Sequence, residues 1–342
     1  MSSTEVQATT DLPSGDPVPS SAPPPSSQPP KPFPLRALLE AAPSNADAFL
    51  AHLQRCLSTP SGIDTVLLFL CYSSRLSSAA LDLLTRPAVR RGAERLLALA
   101  SSLPPSATLL FSSKAFPSPG AALLLELSRR LKTFSALLSE TRTFLRLWGL
   151  LGMYFWGRGL VLRLREARAA AKSSLSSADE KNSEVSVAKA AAAKVDKLEV
   201  SLAASQLVAC VVFQALENGA YLAQKNVLAW QPATIGGAYR WSARFWGAFV
   251  GLKLTELFLD RYRRAQVPKR QRMGDKTVAV FEREEAEWSL EWRKLVGRNM
   301  AWFPLTLHWS LEQGLFGELT IGALASIPGC IQMRDLWRRT SE

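Results

Sequence analysis

The side chains that most often bind metals or act as nucleophiles are few and widely spaced in this 342-residue chain. Its cysteines and histidines form no CxxC or HExxH motif, so the sequence excludes a zinc site and a disulfide scaffold. They are Cys56, Cys71, Cys210, Cys330, His52 and His308. The chain also lacks a glycine-rich phosphate loop, a nucleophile elbow and a histidine paired with catalytic carboxylates. We therefore expect a protein that is not an enzyme and needs no cofactor.

Positive charge is the strongest chemical signal in the sequence. The 41 Lys and Arg residues exceed the 29 Asp and Glu residues, which gives a net charge of +12. Such an excess predicts an anionic partner, either nucleic acid or lipid headgroups. The sequence has no signature of an RNA-recognition motif, a helix-turn-helix or a zinc finger, so we expect no nucleic acid ligand.

Seven of the positive charges fall within 16 residues, against a single acid, and form a predicted polybasic loop. Its members are Arg261, Arg263, Arg264, Lys269, Arg270, Arg272 and Lys276. A polybasic loop beside a hydrophobic segment is typical of proteins that bind anionic phospholipids on a cytosolic leaflet. A solvated loop without a ligand has the same composition and is the alternative.

The spacing of apolar residues predicts the fold class. Between residues 35 and 164 they recur at helical intervals, without the alternation of Val, Ile and Thr that indicates strands. Prolines divide this half into helices of roughly ten to thirty residues. The sequence therefore predicts an all-α fold, an antiparallel helical bundle with amphipathic helices and hydrophobic C-terminal helices that associate with a membrane.

Composition divides the chain into four regions. Residues 1–34 hold ten of the 21 prolines and are predicted to be a disordered arm. Residues 35–168 form an N-terminal helical region, and residues 169–196 form a polar linker or spacer helix. Residues 197–342 are hydrophobic and rich in tryptophan. Since no secretory, myristoylation or C-terminal peroxisomal signal is recognisable, we expect both termini on the cytosolic side.

Several features of the C-terminal half predict membrane contact. All ten tryptophans follow residue 147, and most flank apolar stretches, as in interfacial aromatic belts. Residues 200–216 carry no charge and would span about 26 Å as a helix, just short of a hydrocarbon core. Residues 298–334 predict a hydrophobic hairpin broken at Pro304 and Pro328, with a buried helical pair as the alternative. Residues 241–259 contain three charges and are expected at the interface or facing the bundle.

Residues 120–148 form the clearest amphipathic segment. At about 100° per residue, six apolar side chains fall within about 60° of one direction. They are Leu124, Leu127, Leu131, Phe134, Leu138 and Leu145. The positive charges of the segment are Arg129, Arg130, Lys132, Arg142 and Arg146. Such a cationic helix lies in one leaflet and favours positive curvature, although the same stripe would also pack against another helix of the bundle.

Three short segments resemble the peroxisomal biogenesis factor 11 family (peroxin-11), and they follow in the same order. They are residues 64–68 with Tyr72 and Arg75, residues 141–147, and residues 215–218 with Tyr221 and Leu222. Arg142, Arg146 and Gly149 match that family's two arginines four residues apart followed by a glycine-containing hydrophobic turn. The likeness covers about residues 45–337.

This resemblance implies a peroxisomal membrane protein of a family that elongates and tubulates the membrane before fission. It also implies partners, which are further copies or relatives of the chain and fission machinery with a dynamin-type GTPase. The proline-rich arm, the Ala- and Ser-rich residues 169–196 and the many tryptophans depart from the family pattern and indicate a divergent member of the fungal C type. Two alternatives stay open, a solute pore lined by Glu217, Glu312 and Glu318, and a soluble helical adaptor.

Overall fold

The computed structural model describes residues 35–102, 104, 119–176 and 183–341. The predicted disordered arm, residues 1–34, lies outside this part of the chain. Every regular element within the described residues is helical, which confirms the predicted all-α class. The helices are α1 (Leu35–Cys56), α2 (Pro60–Ser102), α3 (Pro119–Leu145), a 3-10 helix (Arg146–Trp148), α4 (Gly149–Ser176), α5 (Ser183–Gln224), α6 (Pro232–Gln266), α7 (Lys269–Met273), α8 (Val278–Ser310) and α9 (Glu318–Thr340).

Residues 50–342 fold as one compact unit, and residues 1–49 are grouped apart from it. Within the larger unit, neighbouring helices contact one another in the order α3, α2, α9, α8, α6, α5 and α4. Their contacts pair early residues of one helix with late residues of the next, so each pair is antiparallel. The N-terminal and C-terminal helical regions meet in this unit, because α2 packs against both α3 and α9.

The predicted linker or spacer at residues 169–196 is helical wherever the structure describes it. α4 continues to Ser176 and α5 begins at Ser183. Residues 177–182 lie outside the described part. The described residues on both sides of this gap are therefore helical.

Small polar residues form the contact between α2 and α3. The hydroxyl oxygens of Ser78 and Ser128 lie 3.0 Å apart, and both side chains are 2% exposed. Cys71 lies seven residues before Ser78 on α2, and Ser135 lies seven residues after Ser128 on α3. Cys71 Sγ is 3.4 Å from the carbonyl oxygen of Ser135. Side chains this small allow the two backbones to approach closely, a kind of contact that is common between helices in membranes.

Glycines bring α9 equally close to the other side of α2. A Cβ atom added at Gly322 would lie 2.8 Å from Leu76 Cα, and one added at Gly329 would lie 3.3 Å from Phe69 Cα. A larger residue at Gly322 would therefore push the two backbones apart. α2 is thus held between two neighbours through contacts that leave little space for long side chains.

Aromatic rings fill the space where α2, α5, α6 and α8 meet. The rings of Trp246 and Trp309 stack with centroids 5.7 Å apart, and Trp302 lies 5.2 Å from Trp246. Phe213 and Tyr72 extend this cluster at 5.8 and 5.7 Å from their nearest indole rings. These three tryptophans are half-buried and contact one another inside the bundle, so they do not form the interfacial belt expected for them.

The prolines of the predicted hydrophobic hairpin do not break its helices. Pro304 lies inside α8 and Pro328 lies inside α9, and the chain reverses instead at residues 311–317. Pro328 is buried within its helix. The two antiparallel helices confirm a hairpin at this position, but each arm is a long continuous helix and not a set of short pieces.

His308 closes the turn between α8 and α9. Its Nδ1 atom accepts hydrogen bonds from the backbone N–H groups of Leu315 at 2.7 Å and Phe316 at 3.0 Å. Gly314 adopts φ +64° beneath the imidazole, where an added Cβ would collide with the ring. Both bonds require Nδ1 without a proton, so this turn needs the neutral imidazole.

We predict that acid weakens this turn. Burial lowers the pKa of His308, Arg75 acts in the same direction, and Glu318 opposes them. Because the folded-state pKa lies below the unfolded value of about 6.5, the stability contributed by the turn is complete above that pH and declines as the pH falls below it. In His308→Asn, which keeps a side-chain acceptor that does not titrate, Tm should fall less between pH 7 and pH 5 than in the wild type. Equal pH dependence of Tm in the two proteins would contradict this role.

Candidate functional site

The three segments that carry the family resemblance meet where α2, α3, the 3-10 helix and α5 come together. Arg142 Nε donates to Asp64 Oδ1 at 2.8 Å, which ties α3 to α2. Arg146 donates to both carboxylate oxygens of Glu217 at 3.1 and 3.0 Å, which ties the 3-10 helix to α5. The side chains of Arg142 and Glu217 are 10% and 14% exposed, so each needs its partner to offset desolvation.

Two hydrogen bonds donated by side-chain amides complete this junction. Gln214 Nε2 donates to Asn218 Oδ1 at 2.6 Å, and Asn218 Nδ2 donates to the carbonyl oxygen of Leu147 at 3.1 Å. A Cβ atom added at Gly149 would lie 3.2 Å from Gln214 Oε1, so the glycine lets α5 approach the start of α4. The structure thus explains the glycine after the two arginines as a packing requirement. The family resemblance itself does not include Gln214, which is buried at the centre of the junction.

The predicted leucine stripe of α3 is not the face that packs most closely on α2. That contact belongs to the small residues described above, which lie beside the stripe on the helix surface. Within the stripe, Leu138 is buried and Leu124 and Leu131 are half-buried. Leu127, Phe134 and Leu145 are exposed. One edge of the stripe is therefore used inside the bundle, and the other edge remains open.

The five predicted cations of α3 and the 3-10 helix divide into two groups. Arg142 and Arg146 point into the junction, so they are not part of the outer cationic surface expected for them. Arg129, Arg130 and Lys132 are exposed. Arg129 and Arg130 share the single carboxylate of Glu126, each at 2.8 Å.

The predicted polybasic loop is largely helical. Three of its residues lie near the end of α6, three lie in α7, and one lies in the turn that follows α7. In that order they are Arg261, Arg263 and Arg264, then Lys269, Arg270 and Arg272, then Lys276. The loop prediction is wrong, because six of the seven cations lie in helices, and Arg264, Arg272 and Lys276 contact acids of the next helix, α8.

Most of these cations are engaged by other side chains. Arg264 and Arg272 both donate to Glu285, and Arg264 also lies 4.2 Å from the ring centroid of Trp288. Burial acts to raise the pKa of Glu285, but the hydrogen bonds from the two arginines outweigh it and hold that pKa below its usual value. Lys269 and Arg270 are exposed and have no ion pair with any residue in the described ranges. They are the members of the cluster that remain open to an external anion.

A polar cavity of about 390 Å³ opens between α2, α3, α5, α6 and α9. Its charged and phenolic lining consists of Arg75, Lys132, Lys225, Glu140, Glu318, Tyr221 and Tyr239. Arg75 Nε lies 2.8 Å from Glu318 Oε2, and Lys225 Nζ forms an ion pair with Glu140. The hydrogen bond from Arg75 lowers the pKa of Glu318, burial opposes it, and the charge of Lys132 adds to the lowering. Both wall carboxylates are therefore held as acceptors for the cations beside them.

Two described helices are long and apolar enough to cross a membrane. One is α2, whose most apolar 18-residue window has a mean hydropathy of 1.3 and is 33% buried. The other is Leu198–Gln224 within α5, with a mean hydropathy of 1.6 and 17% burial. The sequence predicts the second span at residues 200–216 but not the first, because Asp64, Arg75 and Pro87 interrupt the apolar residues of α2.

Comparisons of the chain with protein-family models, with curated proteins and with solved structures each give no match. The likeness to the peroxin-11 family is carried by the three segments alone and stays a prediction.

We predict that the Asp64–Arg142 pair contributes to stability. Asp64→Ala leaves the buried guanidinium without its carboxylate and should cost about 2 kcal/mol of unfolding free energy, below the full cost of a broken buried pair because Asp64 is 40% exposed. Glu126→Ala removes the partner of two exposed arginines on α3 and should cost much less unfolding free energy than Asp64→Ala. Chemical denaturation of both variants in the same detergent measures the two free energies of unfolding. Equal decreases would show that the Asp64–Arg142 pair stabilises the protein no more than an exposed ion pair does.

Proposed function

We propose that this chain is a peroxisomal membrane protein that elongates and tubulates the membrane, and so promotes peroxisome proliferation and fission. Its ligands are anionic phospholipids, and its protein partners are further copies or relatives of itself and fission machinery with a dynamin-type GTPase. Its termini face the cytosol. The role is mechanical and requires neither an enzymatic reaction nor a cofactor.

The observation that supports this proposal most is the number of large apolar side chains on the outside of α3 and α4. On α3 the exposed residues include Leu123, Leu127, Phe134, Leu137 and Leu145. On the 3-10 helix and α4 they include Trp148, Leu151, Tyr154 and Phe155. Folded proteins in water rarely expose apolar surface of this extent, so lipid or another protein must cover it.

α4 adds an interfacial helix that the sequence-based prediction of the site omits. Its first half carries the aromatic run Tyr154, Phe155 and Trp156, and all three side chains are exposed. Four arginines follow, also exposed, at positions 158, 163, 165 and 168. Exposed aromatic residues together with arginines are typical of helices that lie in a membrane interface. This run of aromatic residues followed by arginines is the sequence signal that would have identified α4.

The geometry supports a mechanism in which α3 inserts into one leaflet as a wedge while another helix anchors the protein in the bilayer. The apolar part of α5 is the candidate span that would hold the protein in the bilayer. The exposed edge of the leucine stripe on α3 then enters the headgroup region, while Arg129 and Arg130 stay at the phosphates. Insertion into one leaflet expands that leaflet, so the membrane becomes convex on that side, which is positive curvature.

The organelle and the fission partners come from the family resemblance. The structure gives it indirect support, because the three resembling segments form one connected junction through Arg142, Arg146 and Gly149. Residues that share a structural task are expected to persist together in a divergent family member. This connection is the reason to prefer the peroxin-11 interpretation over a general membrane adaptor.

A solute pore is the second candidate, and one observation favours it. The polar cavity lies within the bundle and includes Glu318, one of the three acids suggested as pore-lining residues. Glu217 instead forms the buried pair with Arg146, and Glu312 is an exposed residue paired with Arg240. Two of the three acids are therefore engaged elsewhere, and membrane bending remains the better-supported function.

We predict that removing apolar bulk from the open edge of α3 abolishes tubulation. Leu127→Gln combined with Phe134→Gln replaces two exposed apolar side chains without changing the charge, and vesicle binding should weaken at least about tenfold. Leu131→Glu would also abolish tubulation, but Leu131 is half-buried, so the exposed pair is the cleaner test. Electron microscopy of anionic liposomes with purified protein measures the effect.

Thr133→Gln is the matched control, because Thr133 is exposed on the polar side of the same helix. It should leave tubulation intact. Wild-type tubules from the double variant would remove α3 from the mechanism. Ion conductance without any deformation of the liposomes would favour the pore, and failure of the wild-type protein to bind vesicles would favour the soluble adaptor.

We also predict that the two open cations of α7 help retain the protein on the membrane. Lys269→Gln combined with Arg270→Gln should lower affinity for anionic vesicles roughly tenfold or more, at about 1 kcal/mol per charge. Arg90→Gln with Arg91→Gln makes the same change in net charge on α2 and should have a smaller effect. Unchanged affinity and unchanged localisation of the α7 variant would show that this cluster is structural.

A further inference from the structure

The polar cavity contains more positive than negative charge. Arg75 and Lys225 each face one wall carboxylate, Glu318 and Glu140 respectively. Lys132 also lines the cavity, is exposed, and has no ion pair with a carboxylate in the described part of the chain. Three cations against two carboxylates leave an excess of one positive charge in the lining.

The neutral groups of the lining also suit an anion. Tyr239 is half-buried, and its hydroxyl donates to Gln224 Oε1 at 2.9 Å at the rim. Tyr221 is buried at the wall, and Ser135 and Ser139 add hydroxyl groups from α3. Hydroxyl and ammonium donors around one space are the groups that bind phosphate oxygens, and the guanidinium of Arg75 adds a planar donor pair. The volume of 390 Å³ falls within the range of about 300 to 1,000 Å³ for small-ligand pockets.

We propose that this cavity is a binding site for a phosphate monoester, with Lys132, Arg75 and Lys225 as its cationic contacts. A dianionic phosphate competes with Glu318 and Glu140 for the two paired cations and takes the open ammonium of Lys132 as its first partner. A monoester suits this arrangement because its second ionisation lies near neutral pH. It can bind as a monoanion that matches the single excess positive charge, or as a dianion that displaces a carboxylate from Arg75 or Lys225. The site deepens the proposed function by adding a specific headgroup contact.

The position of the cavity favours a lipid as the source of the phosphate. The apolar part of α5 ends at Gln224, and Lys225 follows directly at the cavity wall. If α5 spans the bilayer, the end of its apolar segment lies at the level of the headgroups. The cavity then opens where the phosphate of a lipid such as phosphatidic acid would lie. This assignment to a lipid rests on the proposed function, whereas the phosphate site itself does not.

The test uses the full-length protein and two ligands. Inorganic phosphate is titrated into protein in uncharged detergent micelles, and phosphatidic acid is presented in phosphatidylcholine vesicles. We expect saturable binding that Lys132→Gln weakens about tenfold or more, because one charged hydrogen bond is lost. Arg283→Gln removes the same charge from an exposed position of α8 outside the cavity and should leave binding unchanged.

The outcomes distinguish free phosphate from lipid as the source of the phosphate group, and the phosphate site from the proposed tubulation. Saturable binding of both ligands, weakened by Lys132→Gln, supports a phosphate site that accepts soluble and lipid monoesters. Binding of phosphatidic acid alone with the same variant response assigns the site to lipid. Absence of saturable binding with both ligands, or an equal loss in Arg283→Gln, would overturn the proposal. Because the micelle experiment contains no bilayer, its result is independent of whether the protein tubulates liposomes.

Discussion

The close approach of α2 to its two neighbours is the constraint on which the rest of the bundle depends. On one side Ser78 and Ser128 share hydroxyl contacts at 3.0 Å, and on the other side Gly322 leaves no space for a Cβ beside Leu76. Apolar surface gains nothing by leaving lipid for a helix interface, so membrane helices depend on tight packing and hydrogen bonds of this type. Larger residues in these rows would separate α3 and α9 from α2 and open the polar cavity between them.

Small residues at the contacts also account for the apolar exterior. α2 meets α3 and α9 through small polar residues and glycines, and leucines and aromatic residues lie on the outward surface of α3 and α4. This packing explains why Leu127 and Phe134 are exposed while Ser128 and Ser135 are buried.

Local sequence patterns were sufficient to predict the all-α class and the start of α3 at its prolines, because helical periodicity and proline effects act over a few residues. They were insufficient for the site, because the decisive partners are distant. Arg142 is predicted among the cations of the amphipathic segment, and its partner Asp64, 78 residues away, shows that it faces into the bundle. Arg264 likewise belongs to a loop by composition until Glu285 and α8 are in place. Small residues do not stand out in a hydrophobic pattern, so the leucine stripe did not predict the close contact of α2 and α3 through Ser78 and Ser128.

The pairing of α2 with α9 has a consequence for how the protein is made. Ser326 of α9 contacts the backbone of Tyr72 across 254 positions of the chain. α2 therefore leaves the ribosome long before the helix that covers its second side has been synthesised. During that interval the surface of α2 that packs against Gly322 and Gly329 is uncovered, and the bundle is completed only when translation is nearly finished.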